Sequence, residues 1–491
     1  MLSLKHFYRE AARELTGLDI TGQAWSEIMP QLSPAPLAPV RRRGAALRVA
    51  APLPTPAPER PARPQKSQAR SVKAVSAPVK PRPAPAPMPE PHPLTGPARA
   101  GLTFTCLSGQ LKKALLLVKP AVVNRSTTLP VLANVLVQSA GSRVKITATD
   151  LEITMSVYVG AQVESEFALT LPAGLLTDFV KSLPDARLEV DVQGAQATLR
   201  CEGAASTFTG TLAEEFPPIP APKGASVEWP AQALRDAIGR VVIAAASDDS
   251  RPVLTGLCLT VSDDGCELAG ADGCRLAAEP LGFTTRQGGW AERTIIPART
   301  MSRLMAALGK SEERISFTRS ETQGAFTWGN VEVVSQLIMG TFPDYPSLIP
   351  ASKDAASHVT FDVEGLREAV KAATPFAREG SGIIRLMATS QGLRVHARAE
   401  ELGTHDSTVP CQMKGQPGNI AFNSRFLADL LRVLPAGPAT LHLNSPSNPG
   451  LFTSKALPDY RMVIMPWFVQ WDEAGKSAAT PEPAQVDTAA A

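Results

Sequence analysis

Apolar positions in this chain follow two spacings by turns, and the alternation itself recurs. From Leu102, stretches with every second residue apolar give way to stretches with apolar residues three or four apart. LTFTCL reads as a strand and leads into a helix from Gly109 to about Pro120, with Leu111, Leu115 and Val118 on one face. TLPVLANVLVQ and VKITATDLEITMSVYV, rich in Val, Ile and Thr, read as strands. A second helix, LPAGLLTDFVKSLP, starts at Pro172 and turns Leu176, Phe179, Val180 and Leu183 inward. The strands LEVDVQG, QATLRCEG and STFTGTL complete the unit.

The same order then returns twice. WPAQALRDAIGRVVIAAA, RPVLTGLCLTV, CELAGADGCRLAAEPL and IIPARTMSRLMAALG repeat the helix, strand, strand, helix succession. VEGLREAVKAATPF, SGIIRLMATSQGLRVHARA and FNSRFLADLLRVLP repeat it again. GTFPDYPSLIP (Gly340–Pro350) has a shortened echo in EFPPIP (Glu215–Pro220) and a second in LPDYRMVIMP (Leu457–Pro466), so Pro217, Pro343 and Pro458 mark a near-fixed, domain-sized period. The expected fold is α+β, with three tandem domains over 101–222, 223–351 and 352–470, each with sheet and two helices.

Outside the repeats the pattern changes. Residues 3–16 space Leu4, Tyr8, Ala11 and Leu15 four apart, predicting a short amphipathic helix within a segment 1–32. Residues 33–100 are Pro/Ala-rich, with fifteen prolines between Pro52 and Pro97, and are expected to be an extended tether without a core. A polar tail is expected over 471–491. The layout suggests that the first helix recruits an accessory partner.

Charge sharpens the picture. The net charge of +3 conceals 15 basic and 6 acidic residues within 1–100, which leaves the remainder mildly acidic. Bulk charge therefore does not make the repeats a nucleic-acid coat. The helices run against that balance: their outer faces carry Lys112, Lys113, Lys181, Arg235, Arg240, Arg303, Arg367, Lys371 and Arg425. Ordinary solvated helix faces would explain any one of these helices. The same bias in six helices favours one positive wall suited to phosphates, without residues arranged to read bases.

Six scattered cysteines with no C-x-x-C pair point to a reducing, cytoplasmic setting and to neither disulfide framework nor zinc. No run of eighteen apolar residues predicts a membrane span, and no metal or cofactor is expected. Cys274 beside Asp272, and His405 beside Asp406, are the only hints of a catalytic pair, each without a third partner at recognisable spacing. The acidic residues of TDLE read as strand-end structure.

TLPVLAN (Thr128–Asn134), TDLE (Thr149–Glu152), RPVLTG (Arg251–Gly256), ADGCRLA (Ala271–Ala277), TFPDY (Thr341–Tyr345) and YRMVIMP (Tyr460–Pro466), in that order, resemble the bacterial sliding clamp, the β subunit of DNA polymerase III. The resemblance covers about residues 102–468. It implies a non-catalytic processivity factor in which two chains close head to tail as a six-domain ring, helices inside and sheets outside, around double-stranded DNA. It also implies that DNA polymerase III and the clamp loader dock through short linear motifs. An auxiliary clamp serving a specialised polymerase, or a scaffold, is the alternative.

By the same resemblance Arg125, Lys181 and Arg251 join the DNA-touching set. A partner-peptide pocket between the second and third domains is implied at Leu254, Gly273, Cys274, Arg275, Leu276, Pro343, Leu348, Asn423, Phe426, Val463, Ile464, Met465 and Pro466. Phe208 and Phe376 are the apolar candidates for the dimer contact. The chain departs from the family at Cys274, where many members have His, and at Trp467-Phe468, where many have Met-Arg. It also carries polar sequence on to Ala491, where family members usually stop soon after the matching proline.

Overall fold

The structure is a computed structural model and describes residues 103–471 apart from 124–128, 220–221, 225, 263–264, 282–284, 288–292 and 312. The helix expected at residues 3–16, the tether 33–100, Arg125 and residues 472–491 lie outside the described residues.

Six α-helices stand in the expected places: α1 (Ser108–Val118), α2 (Ala173–Ser182), α3 (Ala231–Val241), α4 (Ala298–Leu308), α5 (Val363–Glu379) and α6 (Ser424–Val433). They pack in pairs, α1 on α2, α3 on α4 and α5 on α6. Each buries its apolar stripe, as Leu111, Leu115 and Val118 do on α1, or Leu427, Leu430 and Leu431 on α6. Proline opens three of them as the residue preceding the first turn: Pro172, Pro230 and Pro297.

Two expected strands begin later than their sequence suggests. Pro130–Ala133 and Pro252–Thr255 form single 3₁₀ turns, and pairing starts only at Asn134 and Gly256. The ring of proline fixes φ near the helical value and removes a ladder donor, so the turn wins over the β-rich composition around it.

The sheets show how the three units join. In a 14-stranded sheet, Val331–Gln336 of the second unit pairs antiparallel with Ile153–Val163 of the first, from Val331 opposite Val157 to Ser335 opposite Ile153. In a nine-stranded sheet, Leu457–Ile464 of the third unit pairs with Arg275–Pro280 of the second, from Arg275 opposite Ile464 to Ala278 opposite Arg461. The last strand of each later unit thus completes the sheet of the unit before it.

This arrangement corrects one expectation. LPDYRMVIMP is not a junction like TFPDY: Pro458 lies within the strand Leu457–Ile464, near its start, where the missing N–H removes least from the ladder. The true counterpart of the linker is the segment after Pro466. Trp467 donates its N–H to Ala421 O at 2.8 Å, as Ile338 donates to Ile295 O at 2.9 Å. Four residues further along each path stand Trp471 and Phe342. Phe342 is buried in the second unit, and Trp471 lies against the third, its ring centroid 5.6 Å from the guanidinium of Arg385. Trp471 therefore belongs with the third unit, one residue further than the boundary expected from sequence.

Candidate functional site

Asp150 and Asp272 occupy the same place in consecutive repeats and do the same job. Oδ1 of Asp150 accepts from the N–H of Ile153 at 2.9 Å, and Oδ1 of Asp272 accepts from Cys274 and Arg275, each at 2.8 Å. Each carboxylate thereby closes its own turn. The second oxygen works across the junction. Oδ2 of Asp150 accepts from Arg303 on α4 at 2.6 Å. Oδ2 of Asp272 accepts from Nε of Arg275 at 3.0 Å, and Nη1 of Arg275 goes on to Asp429 on α6 at 2.9 Å. Arg303 and Asp429 both stand five residues past the first residue of their helices.

Arg275 is buried and sits over Phe426, its guanidinium carbon 4.4 Å from the ring centroid. It is a clasp between two units and not a free cation. Gly273 adopts φ +89°, a backbone conformation that favours glycine, and it lies against the guanidinium of Arg251. Nη2 of Arg251 donates to the carbonyl of Asp272 at 3.1 Å.

Beside this clasp lies a second apolar cluster, separate from the main core. Leu254, Leu276, Val463 and Leu451 form it with Phe342 and Tyr345, and Leu348 packs at its border. The linker is pinned there: the hydroxyl of Tyr345 donates to Glu267 at 2.6 Å, and Arg293 stacks over the ring at 5.4 Å. Burial and the Glu267 carboxylate both hold the Tyr345 phenol above its ordinary pKa. Met465 donates its N–H to Cys274 O at 2.8 Å, which brings the end of the last strand alongside this cluster.

Of the expected pocket residues, Leu254, Leu276, Val463 and Leu348 gather in this cluster, with Cys274 and Met465 joined beside it, whereas Phe426 packs against the main core and three others are used differently. Ile464 points into the main core, as strand alternation from Val463 requires. Asn423 caps α6, its side chain accepting from Arg425 N at 2.9 Å. Arg275 is spent on its two carboxylates.

The basic helix residues divide in the same manner. Arg240 binds Glu279 through two contacts of 2.7 and 2.5 Å, and Arg303 is held by Asp150. Arg367 donates to the carbonyls of Leu431 and Leu434, at 2.9 and 3.1 Å, closing the C-terminal end of α6. Arg235 pairs with Asp236 at 2.7 Å and also reaches Gly309 O. Lys113, Lys181, Lys371 and Arg425 are exposed, and Lys112 is half-buried. Of these five only Lys181 pairs with a described carboxylate, Asp178, at 3.7 Å.

Comparison with known proteins bears directly on this arrangement. Family models described as the N-terminal, central and C-terminal domains of the DNA polymerase III beta subunit match residues 102–220, 228–344 and 347–468. The beta sliding clamp of Synechococcus elongatus is 31% identical over 373 residues, spanning 74% of this chain and 99% of its own length. The chain belongs to the DNA polymerase III beta subunit family. Among solved structures, the DNA polymerase III subunit beta of Pseudomonas aeruginosa is 27% identical, with a TM-score of 0.70 over 75% of this chain and all of its own. The sliding clamp of Bacillus subtilis shares the fold, at 24% identity and a TM-score of 0.71 over 76% of this chain and all of its own.

In this beta subunit the two phenylalanines proposed for a dimer contact behave differently. Phe208 is buried in the first unit, edge-on to Phe179 at 5.4 Å, and offers no surface to another chain. Phe376 is half-buried on α5 and tilts against the ring of His405 at 5.8 Å. What is open is backbone. Ala204–Thr209 pairs among the described residues only with Gln196–Cys201, and Gly403–Val409 only with Gly392–Ala399.

The groups considered for catalysis are occupied elsewhere. Asp272 serves its turn and Arg275; Asp406 is bound by Arg394 at 2.6 Å and by His396 at 3.1 Å. His405 shares its Nε2 with Ser407 at 3.2 Å, and although Cys274 lies at the surface, partial desolvation by its turn and the neighbouring Asp272 carboxylate hold its thiol above the usual pKa, away from nucleophilic thiolate. Asp429 and Glu267 are the site residues that sequence reasoning missed. The repeat held one signal for the first, since the matching helix position carries Arg303.

Proposed function

We propose that this beta subunit is a DNA sliding clamp: two copies join head to tail, encircle duplex DNA and tether a DNA polymerase. The unpaired strands carry the reading. Ile153–Val163, Arg275–Pro280 and Gly403–Val409 are equivalent strands of three repeats, and the first two are each completed by the last strand of the next unit. Among the described residues Gly403–Val409 has no such partner, and Ala204–Thr209 is a last strand with no following sheet to complete. A second copy placed head to tail supplies both needs at once, and two such contacts in a ring leave neither edge open.

A closed ring holds DNA by topology, so contacts to phosphate need only be weak and independent of sequence. Lys112, Lys113, Lys181, Lys371 and Arg425 are the cations available for them; Arg240, Arg303 and Arg367 instead hold the units in shape. The apolar cluster around Leu254, Leu276, Val463 and Leu451, with Cys274 and Met465 at its border, is the groove for short extended motifs of the polymerase and the clamp loader. Such a groove binds by a few buried anchors. Nothing in this reading requires the chain to make or break a bond.

The test is primer extension on a singly primed circle by DNA polymerase III with its clamp loader. Adding this chain should lengthen the products made per binding event. Products of unchanged length would refute the assignment.

A further inference from the structure

One row of side chains crosses six strands of the nine-stranded sheet without a break. Leu276 stands opposite Val463, Val463 opposite Leu451, Leu451 opposite His442, His442 opposite His358, and His358 opposite Lys414. Residues directly opposite share a face, so the whole row lies on one side of the sheet. It is the side of the apolar groove, because the neighbours Leu441, Phe452 and Met462 all turn into the main core. The floor of the groove therefore runs straight into two imidazoles and an ammonium.

The histidines are held in place. Nδ1 of His358 lies 2.9 Å from Nδ1 of His442, the rings meet edge-on at 5.1 Å, and Nε2 of His442 lies 2.8 Å from Oγ1 of Thr453. A bond between two imidazole nitrogens holds one proton, and Nε2 of His358 makes no hydrogen bond to a described residue. Lys414 is exposed and forms no ion pair with a described carboxylate, whereas Arg461 is already taken by Glu267.

We propose that His358 and Lys414, with His442 orienting the His358 ring, form a subsite for an acidic side chain of the peptide bound in the groove. This rests on the groove being a peptide site. Three strand spacings of about 4.8 Å separate Val463 from His358, about 14 Å, which an extended peptide covers in about four residues. A partner segment with its apolar anchor over Leu276 and Val463 thus brings an Asp or Glu about four residues away onto the imidazole and ammonium donors. Charge-assisted hydrogen bonds then add to the anchor's hold.

The test uses the full chain and fluorescein-labelled ten-residue peptides containing a Leu-Phe anchor in alanine, with Asp or Asn four residues before or four after it. In anisotropy titrations, one of the two Asp peptides should bind about threefold to tenfold tighter than its Asn counterpart, the scale of a partly exposed charged pair. That preference should disappear in the double variant H358Q/K414Q. Equal affinity of Asp and Asn peptides at both positions would overturn the subsite alone, as would a preference that survives in the double variant. No binding by any of the four peptides would overturn the groove, and the subsite with it.

Discussion

Arg303 and Asp150 meet at 2.6 Å across the junction of the first and second units, and the equivalent helix position in the third unit holds Asp429, which meets Arg275. The two junctions thus use the same geometry with the charges exchanged. At the second, the arrangement is nearly closed to water, since Arg275 is buried and Asp272 is only slightly exposed.

Removing Arg275 from this cluster leaves Asp272 to its turn N–H donors alone and Asp429 to the exposed Arg432. Arg275→Ala is expected to cost about 3–5 kcal/mol of stability. Asp429→Ala should cost less, and the double variant should lose less than the sum of the two, because the partners are coupled. Thermal unfolding of the three variants measures this, and additive losses would show that Arg275 and Asp429 do not act as a pair.

The open edge of Ala204–Thr209 gives a sharper test of assembly. Gly210 donates its N–H to Ala195 O at 2.8 Å, which sets the alternation of the ladder and turns the N–H of Thr207 to the unpaired side. Thr207→Pro should therefore spare the pairing with Gln196–Cys201 and remove a donor from the free edge. Sedimentation should find the variant monomeric with an unchanged fold. A stable dimer would place the contact elsewhere.

Trp471 offers a prediction about the segment after Pro466. Its stack on Arg385 is partly exposed, so Trp471→Ala should lower stability by about 1 kcal/mol. Calorimetry showing no loss at all would mean that the anchor is ornamental.

Acid should weaken the third unit through His442, whose imidazole is pushed down to about 4 by burial and by neighbouring His358. Between about 6.5 and about 4 the unfolded chain binds a proton that the folded chain refuses. This contribution is present above pH 6.5 and is lost as the pH falls towards 4. Half-exposure limits it to on the order of 1 kcal/mol. His442→Gln should flatten the fall in Tm between pH 7 and pH 5; an unaltered slope would contradict the assignment.

The three-unit fold was legible because each repeat buries its own helices, so periodicity alone reveals Leu111 to Val118 or Leu427 to Leu431. The junctions were legible only in part. TFPDY announced itself through proline and aromatics, but LPDY carries the same letters inside a strand, and no local pattern separates the two. Pairing between distant strands decides that. The basic residues are ambiguous for a related reason. Arg240, Arg303 and Arg367 look alike in sequence to Lys113 and Arg425, and only the positions of Glu279, Asp150 and the carbonyls of α6 show which ones are consumed.

The available cations should make themselves felt through salt. Replacing Lys113, Lys371 and Arg425 by Ala should reduce the slope of log affinity for duplex DNA against log salt by about 0.9 for each phosphate that is no longer neutralised. An unchanged slope would remove these residues from the DNA surface.

Topological enclosure is tested most directly by retention on DNA. The chain is loaded onto a nicked circle with the clamp loader, and the circle is then cut once by a restriction enzyme. A ring should stay on the intact circle and run off the linear product at the same salt. Equal retention on the two forms would mean that the protein holds DNA by contact alone, and that the two copies do not close around it.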